Sequence, residues 1–342
     1  MSREWKGRDR FSSSAGTWDT TTAAALWSWD PSYRKDEATV VVPSGATNFS
    51  DDPLSAAPAR LEELQLIATA DQLAGSSFAG IPGGESELTI LSGSGSNVLT
   101  DADFAGFSAF ESLELEAGDG SGFSVTFGVN SYAAGIEEVD GSALADVLDF
   151  TDFDGGFSSA LYGSEEEDGD DDDDEEDDEE DGRGDSDDED DDSCVLDVDA
   201  GRGADEIIGS SLTPTCYSFD KGDGGGVLDE VIEDVNGATT LLFSGAIDQI
   251  VNFNESKDRL CFEDDDDDSF DDLDELDEYS PSRLKGRIDY TLRGTWDAVD
   301  NSFTSSDTGT DVLVMYCPRS GDLDRQVGSA NFLVLADPVL VA

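Results

Sequence analysis

Apolar and polar residues alternate over short stretches through much of this chain. Leu113 and Leu115 alternate with Glu114 and Glu116, and Val125 and Phe127 flank Thr126. A period of two sends one set of side chains into a core and the other into water, so each stretch reads as a strand with one buried face. Leu64, Leu66 and Ile67 begin the series. Glu87–Ile90, Asn97–Thr100, Ser112–Glu116, Ser124–Val129 and Gly135–Val139 follow, divided by Gly/Ser/Asp turns such as Ser92–Ser96 and Gly118–Gly122. Near the C-terminal end, Arg287–Thr291, Asp311–Tyr316 and Asn331–Leu335 are further strand candidates. Asp101–Phe110 reads as one helical turn or a loop, and no long helical period lies between the strands. Short strands at this spacing predict an all-β chain of stacked coils, a parallel β-roll or β-solenoid. A β-sandwich is the competing all-β arrangement.

The alternation fails in three places. Residues 1–60 are rich in Ser, Thr, Ala, Asp and Pro, carry Trp5, Trp18, Trp27 and Trp29, and show no sustained period, so a mostly irregular segment is expected. Glu165–Asp192 holds 23 acidic residues and Glu263–Glu278 holds 12. Blocks of like charge cannot bury enough apolar area to offset the cost of ordering their backbone, so both are expected to be disordered linkers. The chain then divides into an irregular segment (1–60), a solenoid-like β domain (61–163), an acidic linker (164–193), a second β block (194–262), another acidic linker (263–281) and a C-terminal β block (282–342).

Charge narrows the function. The 342 residues include 82 Asp and Glu against 18 Lys and Arg, a formal net charge of −64. Such a field repels nucleic acid and anionic membranes and attracts cations or basic partners. No apolar run approaches the ~18 residues that a membrane-spanning helix needs. Met1–Arg10 is basic, but Thr20–Trp27 has no apolar centre, so a cleaved N-terminal signal peptide is not expected. The chain has no histidine, which removes the commonest general base and transition-metal ligand. Nucleophile elbows and phosphate loops are missing too, and carboxylate pairs such as Asp146/Asp149 are too common here to indicate glycoside chemistry. A non-enzymatic protein is expected.

Carboxylates and backbone carbonyls remain as ligands, and they favour hard cations such as calcium. The four cysteines, Cys194, Cys216, Cys261 and Cys317, lack the close pairs of a zinc site. Free thiols are the expected state, and two disulfides would leave three pairings open.

The strongest chemical signal is Ala200-Gly201-Arg202-Gly203-Ala204-Asp205-Glu206-Ile207-Ile208. Glycines permit a positive φ and turn backbone carbonyls inward, an aspartate supplies a carboxylate oxygen, and the apolar residue beyond it enters the core. A degraded version runs through Asp220, Gly222, Asp223 and Gly224 to Asp229 and Ile232, and a decayed one through Asp140–Phe150, where Asp146 is retained. The candidate metal ligands are therefore Asp199, Gly201, Gly203, Asp205, Asp220, Gly222, Asp223, Asp229 and Asp146, by carboxylate or backbone carbonyl. Without a metal, the same residues would form ordinary Gly/Asp turns.

These turns resemble the G-G-x-G-x-D-x-U-x repeats of RTX-type (repeats-in-toxin) calcium-binding proteins. Asp248-x-Ile250-x-x-Phe253-x-x-Ser256-x-Asp258-x-Leu260-x-Phe262 is similar to the strand pair that follows such repeats, with Ser256 where glycine is usual. Gly294–Phe303 and Asp311–Tyr316 are similar to terminal strand blocks of these proteins, and Asp337–Ala342 is compatible with their uncleaved C-terminal export signal. The resemblance implies a bacterial protein exported by type I secretion, with calcium bound in a parallel β-roll. It implies an extracellular or cell-surface structural or adhesive protein whose folding is coupled to calcium. Its other partners would be copies of itself, a cell surface or a mineral surface. The alternatives are an acidic mineral- or cation-binding matrix protein, or a salt-adapted β-rich appendage or virion subunit.

Overall fold

The computed structural model describes residues 37–42, 50–51, 62–153 (except 94, 96 and 119), 194–263 (except 221 and 234–236), 290–316, 326–329 and 331–338. Among these residues twenty-two strands, β1 to β22 in chain order, fall into three sheets. The first sheet is wholly parallel: β1 (Glu37–Val41), β3 (Glu63–Thr69), β5 (Glu85–Leu91), β8 (Ser112–Glu116), β10 (Glu138–Asp140), β12 (Leu196–Asp199), β14 (Thr215–Asp220) and β18 (Arg259–Glu263). The second begins with parallel strands β6 (Val98–Leu99), β9 (Ser124–Thr126), β11 (Val147–Asp149), β13 (Glu206–Ile208), β17 (Asp248–Val251) and β22 (Phe332–Ala336). It continues antiparallel through β21 (Asp311–Met315), β19 (Tyr290–Asp297), β20 (Ser302–Ser305), β16 (Thr239–Phe243) and β15 (Leu228–Glu233). A third small parallel sheet joins β2 (Ser50–Asp51), β4 (Ser77–Ala79) and β7 (Phe107–Ser108).

The chain alternates between the two large sheets, so neighbours within a sheet are a full circuit apart. That is a solenoid. A sandwich of hairpins would pair its strands antiparallel, and among the described residues only the β15–β16 hairpin and the C-terminal strands do so. Each coil adds one residue to a vertical core column. Val40, Leu66, Leu88, Leu113, Val139, Val198, Tyr217 and Leu260 stack in register along the first sheet, all buried. Leu99, Val125, Leu148, Ile207, Ile250 and Leu335 do the same along the second. Phe104, Phe127 and Phe150 stack between coils with centroid separations of 6.0 and 4.3 Å.

The C-terminal strands close one end. The second, fourth and other inward positions of β21 differ in destination: Val312 and Val314 enter the solenoid core, while Leu313 and Met315 join a second cluster with Leu228, Phe243, Phe303 and Phe332. Burial on both faces explains why Asp311–Met315 is an unbroken apolar run after its first residue, without alternation.

Several expectations change. Residues 1–60 contribute β1, Val42 and β2; the rest of that segment lies outside the described residues, as do most of both acidic tracts and the end of the expected export signal. β10 and β12 lie on either side of the first acidic tract yet are adjacent strands, so the blocks 61–163 and 194–262 are consecutive coils of the same sheets. β17 and β18, read from sequence as a strand pair, sit in opposite sheets. The candidate strand Ser124–Val129 ends early, because Val129 starts a short helix, Val129–Ala134. The 194–262 block is not all roll, since β15 and β16 form an antiparallel hairpin inserted between β14 and β17. The C-terminal block is antiparallel apart from the β17–β22 pairing. Finally, Cys194 and Cys216 form a disulfide rather than remaining free thiols, and Cys317 lies outside the described residues.

Candidate metal centre

The glycine–aspartate turns stack on one corner, where the chain passes from the first sheet to the second. Gly201 has φ +73° and Gly203 φ +149°, a region that side chains strongly disfavour. A Cβ on Gly201 would lie 2.4 Å from the Ser142 carbonyl oxygen of the coil below. Glycine is thus required both by the turn and by the closeness of the next backbone.

The aspartates that end these turns form a ladder. Asp146 and Asp205 immediately precede β11 and β13, and Asp248 is the first residue of β17. The N–H of Phe123 donates to Asp146 Oδ1 at 2.6 Å, that of Asp146 to Asp205 Oδ1 at 2.6 Å, and that of Asp205 to Asp248 Oδ1 at 2.9 Å. Each carboxylate therefore satisfies the backbone donor of the preceding coil. The three are buried, at 1, 1 and 0% exposure.

Their second oxygens differ. Asp146 Oδ2 accepts the Ser142 N–H at 2.5 Å, and the Ser142 hydroxyl donates to Asp146 Oδ1 at 3.0 Å. Asp205 Oδ2 and Asp248 Oδ2 are buried with no hydrogen-bond partner among the described residues. Burial pushes the Asp205 carboxyl up to about 8, with Asp146, Asp223 and Asp199 adding to the rise against the Asp146 N–H bond. Burial, then Asp205 and Asp223, holds Asp248 well above the usual carboxylate range. Asp146 is raised by burial too, opposed by its bonds from Phe123 and Ser142.

Asp223 flanks this ladder. The Asp220 N–H donates to Asp223 Oδ2 at 2.7 Å, and Arg202 Nε lies 3.8 Å from Oδ1. Burial pushes Asp223 up to about 7. Asp199 Oδ1 accepts the Gly201 N–H at 2.8 Å and so braces the turn. The structure thus gathers Asp146, Asp199, Gly201, Gly203, Asp205, Asp220 and Asp223 on one corner. Gly222 sits at the exposed bend beside Asp223 with φ +98°, and Asp229 lies apart, exposed on the hairpin strand β15.

Asp248 is the addition. Its signal was in the sequence, because Asp146-Val-Leu148, Asp205-Glu-Ile207 and Asp248-Gln-Ile250 share the pattern Asp-x-apolar. Only the first two follow a glycine–aspartate turn without interruption; the hairpin separates the third from its turn.

Among the described residues, no three Asp, Glu or Cys side chains are arranged to hold one metal ion. A cation on this corner would take two carboxylate oxygens and complete its shell with backbone carbonyls, which suits calcium and its six to eight oxygen ligands. The residues present fit such an ion at Asp205 and Asp248, where the orphaned oxygens are.

Two other charged features differ from the ladder. On the opposite corner Lys257 Nζ donates to the carbonyls of Ser210 and Thr213, both at 2.9 Å, and to Asp258 Oδ1 at 2.5 Å. There a tethered ammonium supplies the positive charge. On the outer face of the first sheet, Glu114, Asp140 and Asp199 lie directly opposite one another on β8, β10 and β12. Burial followed by like charge pushes Glu114 and Asp140 each up to about 7.

No protein-family model, curated protein or solved structure matches the chain.

Proposed function

We propose that this chain is a non-enzymatic structural or adhesive protein of the cell exterior, and that calcium completes its solenoid. One observation carries the reading: Asp205 Oδ2 and Asp248 Oδ2 are buried on successive rungs with no partner among the described residues. A buried anion without a counter-charge is costly, so such a group either keeps its proton or binds a cation. The glycine turns around Asp205, with positive φ at Gly201 and Gly203, favour the cation. The resemblance of Gly201–Ile208 to RTX-type repeats points the same way.

The Cys194–Cys216 disulfide supports an oxidising compartment outside the cytosol. The large negative charge supports a milieu rich in cations, where calcium would neutralise the corner and let the coils close. Export by type I machinery and adhesion to cell surfaces rest on the resemblance alone.

Thermal unfolding of the full chain tests the reading, in 1 M KCl to screen the acidic tracts. Millimolar calcium should raise Tm by about 5–10 °C over excess chelator, as expected for saturation near 100-fold above Kd. Magnesium should do much less, because it demands a tighter octahedral shell. Equal Tm in calcium and chelator would sink the proposal.

A further inference from the structure

The three rungs of the aspartate ladder are equivalent in backbone position but not in how their charge is met. Asp146 receives three hydrogen bonds: from the Phe123 N–H, the Ser142 N–H and the Ser142 hydroxyl. Both of its oxygens are engaged within the protein. Among the described residues, Asp205 and Asp248 each receive one bond on Oδ1, and each leaves Oδ2 buried and unpartnered. At the matching place in the Asp205 turn stands Gly201, which has no hydroxyl to offer. The Asp248 rung is entered from the β15–β16 hairpin, through Ser244-Gly245-Ala246-Ile247. Ser244 there is turned to Val227, exchanging bonds of 3.3 Å with its N–H and carbonyl.

Resting on the calcium reading above, we infer that Asp205 and Asp248 are the carboxylate ligands of a single calcium ion that bridges two coils, and that Ser142 replaces such an ion in the Asp146 coil. Two carboxylates balance one divalent charge, so the bridged pair is neutral without a third acid. Asp223 lies outside the pair, engaged by Arg202 and the Asp220 N–H, and contributes field rather than a bond. Asp248 is far from any glycine repeat in sequence, and it reaches the site because β17 pairs with β13 in register, Gln249 opposite Glu206. The ion would therefore pin the coil that follows the hairpin to the coil that precedes it. Loss of the ion would loosen that junction, while the lower coils, closed by Ser142, stay formed.

Isothermal titration of the full chain with calcium in 1 M KCl, after stripping with chelator, tests the assignment. The wild type should show one tight site above the weak background of the acidic tracts. Asp248→Asn should weaken that site by about 100-fold, since it removes one of two charged ligands. Asp205→Asn should do the same, whereas Asp146→Asn should change affinity by no more than about threefold. Asparagine keeps Oδ1 as an acceptor for the Asp205 N–H, so Asp248→Asn should melt in chelator at or above the wild-type Tm; a lower Tm there would mean the carboxylate is structural and would overturn the assignment. Wild-type affinity in Asp248→Asn, or a second tight site that Asp146→Asn removes, would overturn it as well. A wild type with no tight site at all would overturn the calcium reading itself.

Discussion

Asp205 donates its backbone N–H to Oδ1 of Asp248 at 2.9 Å, across 43 residues of sequence. Each of these residues begins the same step of its coil, and the hairpin β15–β16 lies in the interval between them. The bond explains how the solenoid tolerates a long excursion: a buried carboxylate sets the returning chain in register one residue before its first pair with β13, Gln249 opposite Glu206. The same device operates across 59 residues between Asp146 and Asp205.

The close packing at the glycine corner gives a direct expectation. Gly201→Ala places a Cβ 2.4 Å from the Ser142 carbonyl oxygen and forces φ +73° on a side chain that resists it. Destabilisation of about 2 kcal/mol or more should result, as strain and a forced backbone shift add together. Urea denaturation followed by circular dichroism measures it.

Lys257 offers a test of the tethered cation. Its side chain and that of Asp258 are 14% and 0% exposed. Lys257→Met leaves a buried carboxyl with its ammonium removed, at a cost of about 3–5 kcal/mol. The double variant Lys257→Met/Asp258→Asn should recover part of that loss, which a double-mutant cycle would read as a positive coupling energy.

The outer acidic row predicts a pH dependence. Burial first, and then Glu87 and Glu116, push the Glu114 carboxyl from its ordinary 4.5 up to about 7 in the fold. A raised carboxyl favours the folded state most when protonated. Its contribution is therefore fully present below about 4.5 and is lost as pH rises through about 7. Because the group is partly solvated, the effect should be on the order of 1 kcal/mol. Glu114→Gln should remove this component and raise Tm at pH 8, with little change at pH 4.

The disulfide supplies a fourth expectation. Cys194 and Cys216 close a loop with a separation of 22 residues, joining the first turn of one coil to β14 of the next. Loop-closure entropy sets its contribution at about 3 kcal/mol. Cys216→Ser should lower the unfolding free energy by that order. Wild type in reductant should fall to the same value.

Inside the core, the stack of Phe127 on Phe150 at 4.3 Å spans two coils. Phe127→Ala should cost about 3–5 kcal/mol through lost burial and a cavity. Val299, 90% exposed in a turn, should tolerate alanine within about 0.5 kcal/mol. Equilibrium denaturation of both variants makes the comparison.

Much of this protein could be read from local pattern. Ser112–Glu116 alternates in sequence and is β8 with the same bounds, because a half-buried strand needs only the period of two that its own residues carry. Gly201 and Gly203 announced a turn because only glycine adopts their backbone angles freely. The lack of histidine and the excess of acid turned the expected chemistry toward hard cations by residue type alone. Tertiary structure decided everything that depends on which coil lies above which. It put β17 and β18 in opposite sheets, joined Cys194 to Cys216 and made β10 the neighbour of β12 across the acidic tract. It also brought Asp248 above Asp205, and showed that Ser142 serves Asp146 while nothing among the described residues serves Asp205 Oδ2. Coils here vary widely in length, so vertical neighbours stand at no constant interval in the sequence. Only the packed register of the core columns, Leu148 on Ile207 on Ile250, brings them together.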